Sequence, residues 1–496
     1  MRSGSELQRA FLVAAACLAS PGPRAQEPAP SRPASFPDSP LGAFGRELVE
    51  RINEGDPSRQ TEFLRRHLSR AALEAKPLEE SLDLLATIRR QSGGLDVAQV
   101  GEDGVLEIVV QTRRGGRRAR IWVFSDPAQR DRVGEFGVIP LRDPAVEAAD
   151  AWNLRKMTRA EAVAEIERHV AGAAARDEFS GVVLVAEGEF VLFHKAYGLA
   201  EKGFLVPNRP DTKFNLASMN KMFTAVSIAQ LVQAGKLRFE DKLIDVLPDY
   251  PNPEAARKIT IEHLLTHTAG LGPLFERPAF DRRTRYRTAA SVLPVFARET
   301  LAFEPGTRAS YSNEGFVVLG AVIERISGQS YFDHVRERVF KPCGMGETDS
   351  YAIDEVVPNL AVGYARFEDD PLGVDPRRPN WIFLGWRGSS AGGGYSTAPD
   401  LLRFVLALKA HRLVNEALTE TLVAPHGVGR WYGYGFQIRE TAGKQVRGHG
   451  GGGPNSGISA DLQTLWDGNF TAIVLSNYDG PATNEICTKI VDLLAL

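Results

Sequence analysis

At 496 residues the chain is too long for one ordinary domain, and about 150 residues per domain gives a starting expectation of roughly three. Hydrophobic residues at 43% and charged residues at 24% are average for a soluble globular chain, which excludes global disorder and leaves ample material for a core. With 59 basic against 62 acidic residues and a formal net charge of -3, the composition gives no basis for nucleic acid or an anionic membrane as partner; three cysteines exclude a disulfide scaffold, and nine histidines show no zinc-finger spacing.

Residues 1–25 read as a secretory signal peptide. Arg2 and Arg9 precede the apolar run Phe11–Ala19, too short to span a bilayer but suited to an h-region, with cleavage between Ala19 and Gln26. Cys17 raises a lipid anchor, which Ala14 disfavours by standing where a Leu usually precedes a lipidated Cys. Seven prolines between Pro21 and Pro40 make residues 26–40 an extended tether. No later run reaches transmembrane length, so the expectation is a periplasmic or secreted protein without a membrane span.

Residues 41–150 predict a small accessory α+β domain. Phe44, Leu48, Val49 and Ile52 mark one helix, Phe63, Leu64 and Leu68 a second, and Leu78, Leu82, Leu85 and Ile88 continue the helical period. The period then changes: Val105–Val110 and Ile121–Phe124 predict a hairpin around Gly115-Gly116. By analogy alone this order suits a nuclear-transport-factor-like or cystatin-like fold. Arg113, Arg114, Arg117, Arg118 and Arg120 could meet an anionic surface, but a solvated turn explains them more simply.

Residues 159–496 predict the larger domain. A helix over 159–175 leads to a hairpin, Gly181–Ala186 and Phe190–Ala196. Far downstream, strand-like stretches recur at Gly433–Arg439, Ser456–Leu465 and Phe470–Ser476, before an apolar helix over 483–496. Strands at both ends with helical material between them imply one antiparallel sheet completed by the C-terminus, flanked by helices and carrying a helical insertion.

Three motifs carry chemistry. Ser218-Met219-Asn220-Lys221 opens a run apolar over most of its surface and ended by Gly235, so Ser218 and Lys221 fall together at the start of a buried helix. A Lys held in a water-poor place can lose its charge and activate a Ser. Alone, S-x-x-K arises by chance, and an N-cap Ser before a snorkelling Lys is the simpler reading. Tyr311-Ser312-Asn313 precedes a helix over Phe316–Ile326. A phenol beside an ammonium can be depressed toward general-base duty and an Asn can hold a substrate amide, or the loop merely caps the helix. His449-Gly450-Gly451-Gly452 ends a strand where backbone N–H groups could complete an oxyanion hole, or is a glycine turn without chemistry.

Together with FSGVVLVAEGEFVLFHKAYGLA, ITIEHLLTHTAGL and FKPCGMGET, the three motifs make residues 159–496 resemble the serine β-lactamase and penicillin-binding-protein superfamily, in its class C-like branch. The resemblance implies Ser218 as the acylated nucleophile, with Lys221 and Tyr311 sharing general-base work. It places Asn313 against Lys221 and substrate, and gives the oxyanion to the N–H groups of Ser218 and Gly452, with His449, Gly450 and Gly451 beside the substrate. It implies no metal or other cofactor, and a small-molecule or peptide substrate. One departure stands out: class C β-lactamases are expected to carry Lys-Thr-Gly where this chain has His449-Gly450-Gly451. A neutral His attracts a carboxylate less, which disfavours β-lactam hydrolysis and favours esterase or D-amino-acid-directed peptidase chemistry.

Two patterns are set aside. Gly388-Ser389-Ser390-Ala391-Gly392 matches G-x-S-x-G, but no helix starts after Ser390 and the HGGG segment follows it instead of preceding it; Ser396 or Thr397 is expected to cap a helix near Asp400. His263 and His267 are spaced like a zinc pair but lack the Glu of H-E-x-x-H, so no metal is assigned. The expected function is an exported serine hydrolase acting on esters or small amides. The alternatives are a class C-like β-lactamase or DD-carboxypeptidase, and a non-catalytic penicillin- or peptidoglycan-binding protein. Cys343 and Cys487 are expected as unlinked buried thiols.

Overall fold

The computed structural model describes residues 35–272, 285–366, 370–453 and 455–496. The signal peptide expected over 1–25, the Cys17 anchor and most of the 26–40 tether lie outside the described residues. The chain divides into two compact units, Met1–Ala151 with Arg366–Pro376, and Trp152–Ala365 with Arg377–Leu496.

In the first unit, Ser39 caps helix Pro40–Glu54 by accepting from the Gly42 N–H at 2.9 Å. Helices Pro57–His67, Arg70–Ala75 and Leu78–Ser92 follow. Four strands, β1 (Leu95–Glu102), β2 (Leu106–Thr112), β3 (Arg118–Ser125) and β4 (Val133–Leu141), form an antiparallel sheet in that order. The sequence pattern pointed only to the central pair. The outer strands β1 and β4 bury few side chains, so they lack the period-2 apolar alternation that reveals a strand. Phe44, Leu48, Ile52 and Phe63 pack on Ile108, Val110, Ile121 and Val123, with the Phe44 and Phe63 rings 4.9 Å apart. Leu372, from the returning segment Arg366–Pro376, joins this core, and Asp370 accepts from Val374 N–H at 2.7 Å and Gln91 Nε2 at 3.0 Å. No periodicity could connect that segment to a core more than two hundred residues earlier. Of the hairpin arginines, Arg113 pairs with Asp96 at 2.9 Å and Arg120 with Glu107 at 3.4 Å, while Arg117 Nη1 donates to the Gly373 carbonyl at 3.0 Å.

The second unit is built on six main strands: β5 (Gly181–Glu187), β6 (Phe190–Tyr197), β7 (Gln437–Thr441), β8 (Lys444–Gly452), β9 (Ser459–Leu465) and β10 (Phe470–Ser476). They pair antiparallel in the order β7-β8-β9-β10-β5-β6, so the N-terminal hairpin completes a C-terminal sheet. Alternation along β5 and β10 serves two cores. Val183, Val185, Ala472 and Val474 face helices Arg159–Ala175 and Ala482–Leu494, while Val182, Leu184, Ile473 and Leu475 face the helical insertion. The fold is therefore α+β, an antiparallel sheet flanked by helices.

Two expected strands shift. Gly433 N–H donates to the Phe436 carbonyl at 2.8 Å and Gly435 sits at φ +78°, making a turn that delays β7 to Gln437. A second turn delays β9 to Ser459, with Gly457 at φ +63°. Cys343 and Cys487 are buried and unlinked, and burial pushes both thiols up, Cys343 to about 12.

Candidate active site

Ser218 lies in the 3-10 turn Ala217–Met219, and helix Asn220–Gln233 starts directly after it. Ala217 holds φ +42°, an uncommon conformation for a residue with a side chain. Surrounding bonds pin it: Ala217 N–H donates to Asn215 Oδ1 at 2.9 Å, Gly393 N–H to the Ala217 carbonyl at 3.0 Å, and Leu216 N–H to the Gly394 carbonyl at 2.7 Å. The helix is apolar nearly all round and buries Met222, Phe223, Val226 and Ile228, which carries Lys221 inside with it.

Lys221 has no exposed surface. Its Nζ donates to Ser218 Oγ at 3.1 Å, Asn313 Oδ1 at 2.8 Å and the Ala391 carbonyl at 2.6 Å. Desolvation lowers its pKa to about 7 against the opposing charge of Glu314. Its Nζ also lies 4.8 Å from the Tyr311 ring centroid and 5.5 Å from that of Phe316. Three of the sequence candidates therefore surround one buried amine.

Helix Asn313–Ser327 begins at Asn313, three residues earlier than the sequence pattern indicated. Ser312 caps it, accepting from the Gly315 N–H at 3.1 Å and donating to Glu314 Oε2 at 2.7 Å. Tyr311 keeps 43% of its surface open to the cleft. The protein packed around its phenol nevertheless raises the phenol's pKa, with the Ser218 side chain pulling the other way. The expected depression by a neighbouring ammonium is therefore reversed, because burial penalises the phenolate more than nearby partners stabilise it.

The glycines of β8 run beside the Ser218 turn. A side chain at Gly451 would meet the Leu216 carbonyl oxygen at 2.3 Å and the Ser218 nitrogen at 2.8 Å. Gly452, at φ +127°, lines the cleft with Ser218, Tyr311 and Asn313. Gly450 stands apart from them, its N–H donating to Gln437 Oε1 at 2.9 Å.

The beta-lactamase family model matches residues 163–496. The chain belongs to the beta-lactamase family. It is 33% identical over 319 residues to a penicillin-binding protein of Bacillus subtilis (strain 168), covering 61% of this chain and 69% of that protein. It is 31% identical over 302 residues to esterase EstB of Burkholderia gladioli, covering 54% and 74%. A solved penicillin-binding protein from Bacillus halodurans aligns with a TM-score of 0.55 at 30% identity, over 69% of this chain and 98% of that one.

Within this beta-lactamase-family site, His449 does not line the cleft. It is 1% exposed, and desolvation with the Lys221 charge lowers its pKa to about 3, so the ring is neutral. Its Nδ1 donates to the Gly450 carbonyl, leaving Nε2 to accept from the Tyr432 hydroxyl at 2.7 Å. His267, set aside as half of a false zinc pair, lies under Tyr311 with the ring centroids 4.4 Å apart. Its Nδ1 accepts from the Ser312 N–H at 3.1 Å, tying the Tyr311 loop to a residue itself held at φ +59°. Sequence reading missed His267 and Tyr432 as parts of the site; the one signal was the His-Thr-Ala-Gly turn, which has no periodic role. His263 instead forms a capping box with Thr260.

Ser390 is fully buried, 2.3 Å from where a side chain at Gly320 would begin, and its carbonyl accepts from Thr224 Oγ1 at 2.7 Å. Its side chain is thus turned into the packing against Gly320, away from solvent. Thr397 caps helix Ala398–Lys409. The segment 388–393 lines a cleft of about 520 Å³ that opens over Ser218.

Proposed function

We propose that this chain is an exported serine hydrolase that forms an acyl-enzyme at Ser218 on esters or small amides. The observation that carries this reading is the fully buried Lys221 amine, 3.1 Å from Ser218 Oγ and with a pKa near neutrality. An amine that is substantially unprotonated at neutral pH can take the Ser218 proton as Oγ attacks a carbonyl carbon. The Ser218 and Gly452 N–H groups would receive the developing oxyanion. Tyr311, whose phenol stays protonated, would relay the proton to the departing alcohol or amine. Water then attacks the acyl-enzyme by the same route in reverse. Export rests on the sequence of residues 1–25.

Esterase or D-amino-acid-directed peptidase chemistry is favoured over β-lactamase or DD-carboxypeptidase chemistry by the neutral His449, which offers no cation to a substrate carboxylate. Non-catalytic binding is disfavoured because a binding module has no use for a neutralised buried Lys beside a Ser. The test is labelling with a fluorophosphonate, mapped by peptide mass spectrometry. The label is expected on Ser218 and lost in Ser218→Ala. Label on another residue overturns the assignment, and absence of labelling by both this probe and a tagged penicillin favours the binding reading. Faster turnover of p-nitrophenyl butyrate than of nitrocefin is the second expectation.

A further inference from the structure

Resting on the serine-hydrolase reading, we infer that the substrate is an uncharged ester carrying a bulky apolar group, and that Trp386 is the surface on which this group packs. The wall of the Ser218 cleft is built from Tyr286, Phe332, Tyr351, Phe383, Leu384 and Trp386. Among the described lining residues the charged ones are Glu355 and Arg387. The Arg387 guanidinium stacks 4.1 Å from the Phe332 ring centroid, and its Nε donates to the Ser350 carbonyl. An apolar group packing on this wall gains free energy by leaving water, whereas a carboxylate placed there loses its water and, among the described lining residues, meets only a guanidinium already stacked on Phe332.

Trp386 is fixed in place. Its indole N–H donates to Asp354 Oδ1 at 2.9 Å, and Asp354 Oδ2 accepts from Arg285 Nη2 at 2.9 Å. Its carbonyl accepts from the Ile353 N–H at 2.7 Å, and the Arg285 and Arg287 guanidinium groups lie 5.7 and 5.9 Å from its ring centroid. A ring already ordered loses little conformational freedom when a ligand packs on it. The apolar lining continues outward to Trp381, 58% exposed, and Ile353, 49% exposed. Surface of this kind costs free energy in the unliganded protein and marks a binding face.

The experiment compares kcat/KM for p-nitrophenyl acetate, hexanoate and benzoate and for the mono-p-nitrophenyl ester of adipic acid, which matches hexanoate in length but ends in a carboxylate. Hexanoate and benzoate are expected to exceed acetate, and adipate to fall on the order of 100-fold below hexanoate. Trp386→Ala should reduce the hexanoate-to-acetate ratio on the order of tenfold, mainly through KM, and Trp386→Phe should retain most of it. Fluorophosphonate labelling of Ser218 and the thermal midpoint show that each variant is folded. A flat series, a preference for adipate, or an unchanged ratio in labelled Trp386→Ala overturns the inference while Ser218 still labels. Should Trp386→Ala fail to fold, the wild-type series decides. No labelling and no turnover of any ester overturns the hydrolase reading instead, and this inference with it.

Discussion

Lys221 is the residue on which the proposed chemistry turns, and its depressed pKa makes a signed prediction. Below about 7 the amine is charged and cannot accept the Ser218 proton; above it the neutral form dominates. Ester kcat/KM should therefore rise about tenfold per pH unit below 7 and level off above it. A profile flat from pH 5 to 8 would mean that Lys221 acts as a fixed cation. Lys221→Met should lower kcat by roughly a thousandfold or more, and Tyr311→Phe by about a hundredfold or more, both read from steady-state kinetics. The Ser-x-x-Lys and Tyr-x-Asn spacings made these residues legible in the sequence. What spacing could not carry was their ionisation. The direction of the Tyr311 shift depends on how much protein surrounds the phenol, which no local pattern encodes. His267 escaped for a related reason: its contact with the Ser312 N–H joins residues 45 positions apart.

At the scale of the element, β8 separates three adjacent glycines that look alike in sequence. A side chain at Gly450 has no backbone atom closer than 3.8 Å, whereas one at Gly451 meets the Leu216 carbonyl at 2.3 Å and one at Gly452 meets the Ile458 carbonyl at 2.3 Å. Gly450→Ala should accordingly be tolerated, while Gly451→Ala should push β8 away from the Ser218 turn and cost on the order of a hundredfold in kcat/KM. Equal losses in the two variants, with thermal midpoints unchanged, would contradict this account. The central elements were readable because each is buried on nearly every side: helix Asn220–Gln233 all round, and β5 and β10 on both faces, so that they read as continuous apolar runs. Edge strands β1 and β4 were not, since exposed strands impose no alternation.

In the molecule as a whole, one buried group in each unit tests how that unit is held together. Asp461 is wholly buried in β9, and desolvation raises its pKa to about 6 despite hydrogen bonds from Gln463 Nε2 at 2.9 Å and Asn484 Nδ2 at 2.6 Å. A carboxyl raised in the folded state stabilises it fully below its unfolded value near 3.8, and that contribution is lost as pH rises to 6. Asp461→Asn should thus match the wild type near pH 4 and exceed it by on the order of 2 kcal/mol above pH 6, measured by denaturant unfolding. An Asn advantage that does not grow with pH would show the carboxyl ionising freely. In the first unit, Leu372 is 2% exposed in a core otherwise drawn from residues 41–133. Leu372→Ala should destabilise that unit by about 2–5 kcal/mol, seen as earlier proteolysis within residues 40–141. Unchanged proteolysis would detach the segment Arg366–Pro376 from that core.

The sequence alone carried the family resemblance, the sheet of the larger unit completed by its C-terminus, and the candidates Ser218, Lys221, Tyr311 and Asn313, because motifs and buried apolar runs both leave their mark at short spacing. The tertiary structure decided the rest. It buried His449 beside Lys221 with its Nε2 on the Tyr432 hydroxyl, and set Tyr311 on His267. It also returned Arg366–Pro376 to a core laid down far earlier, and lined the cleft with aromatic rings drawn from segments between Phe214 and Tyr395. Burial and long-range contact fix charge state and cavity shape, and both are properties of packing that a linear pattern does not carry.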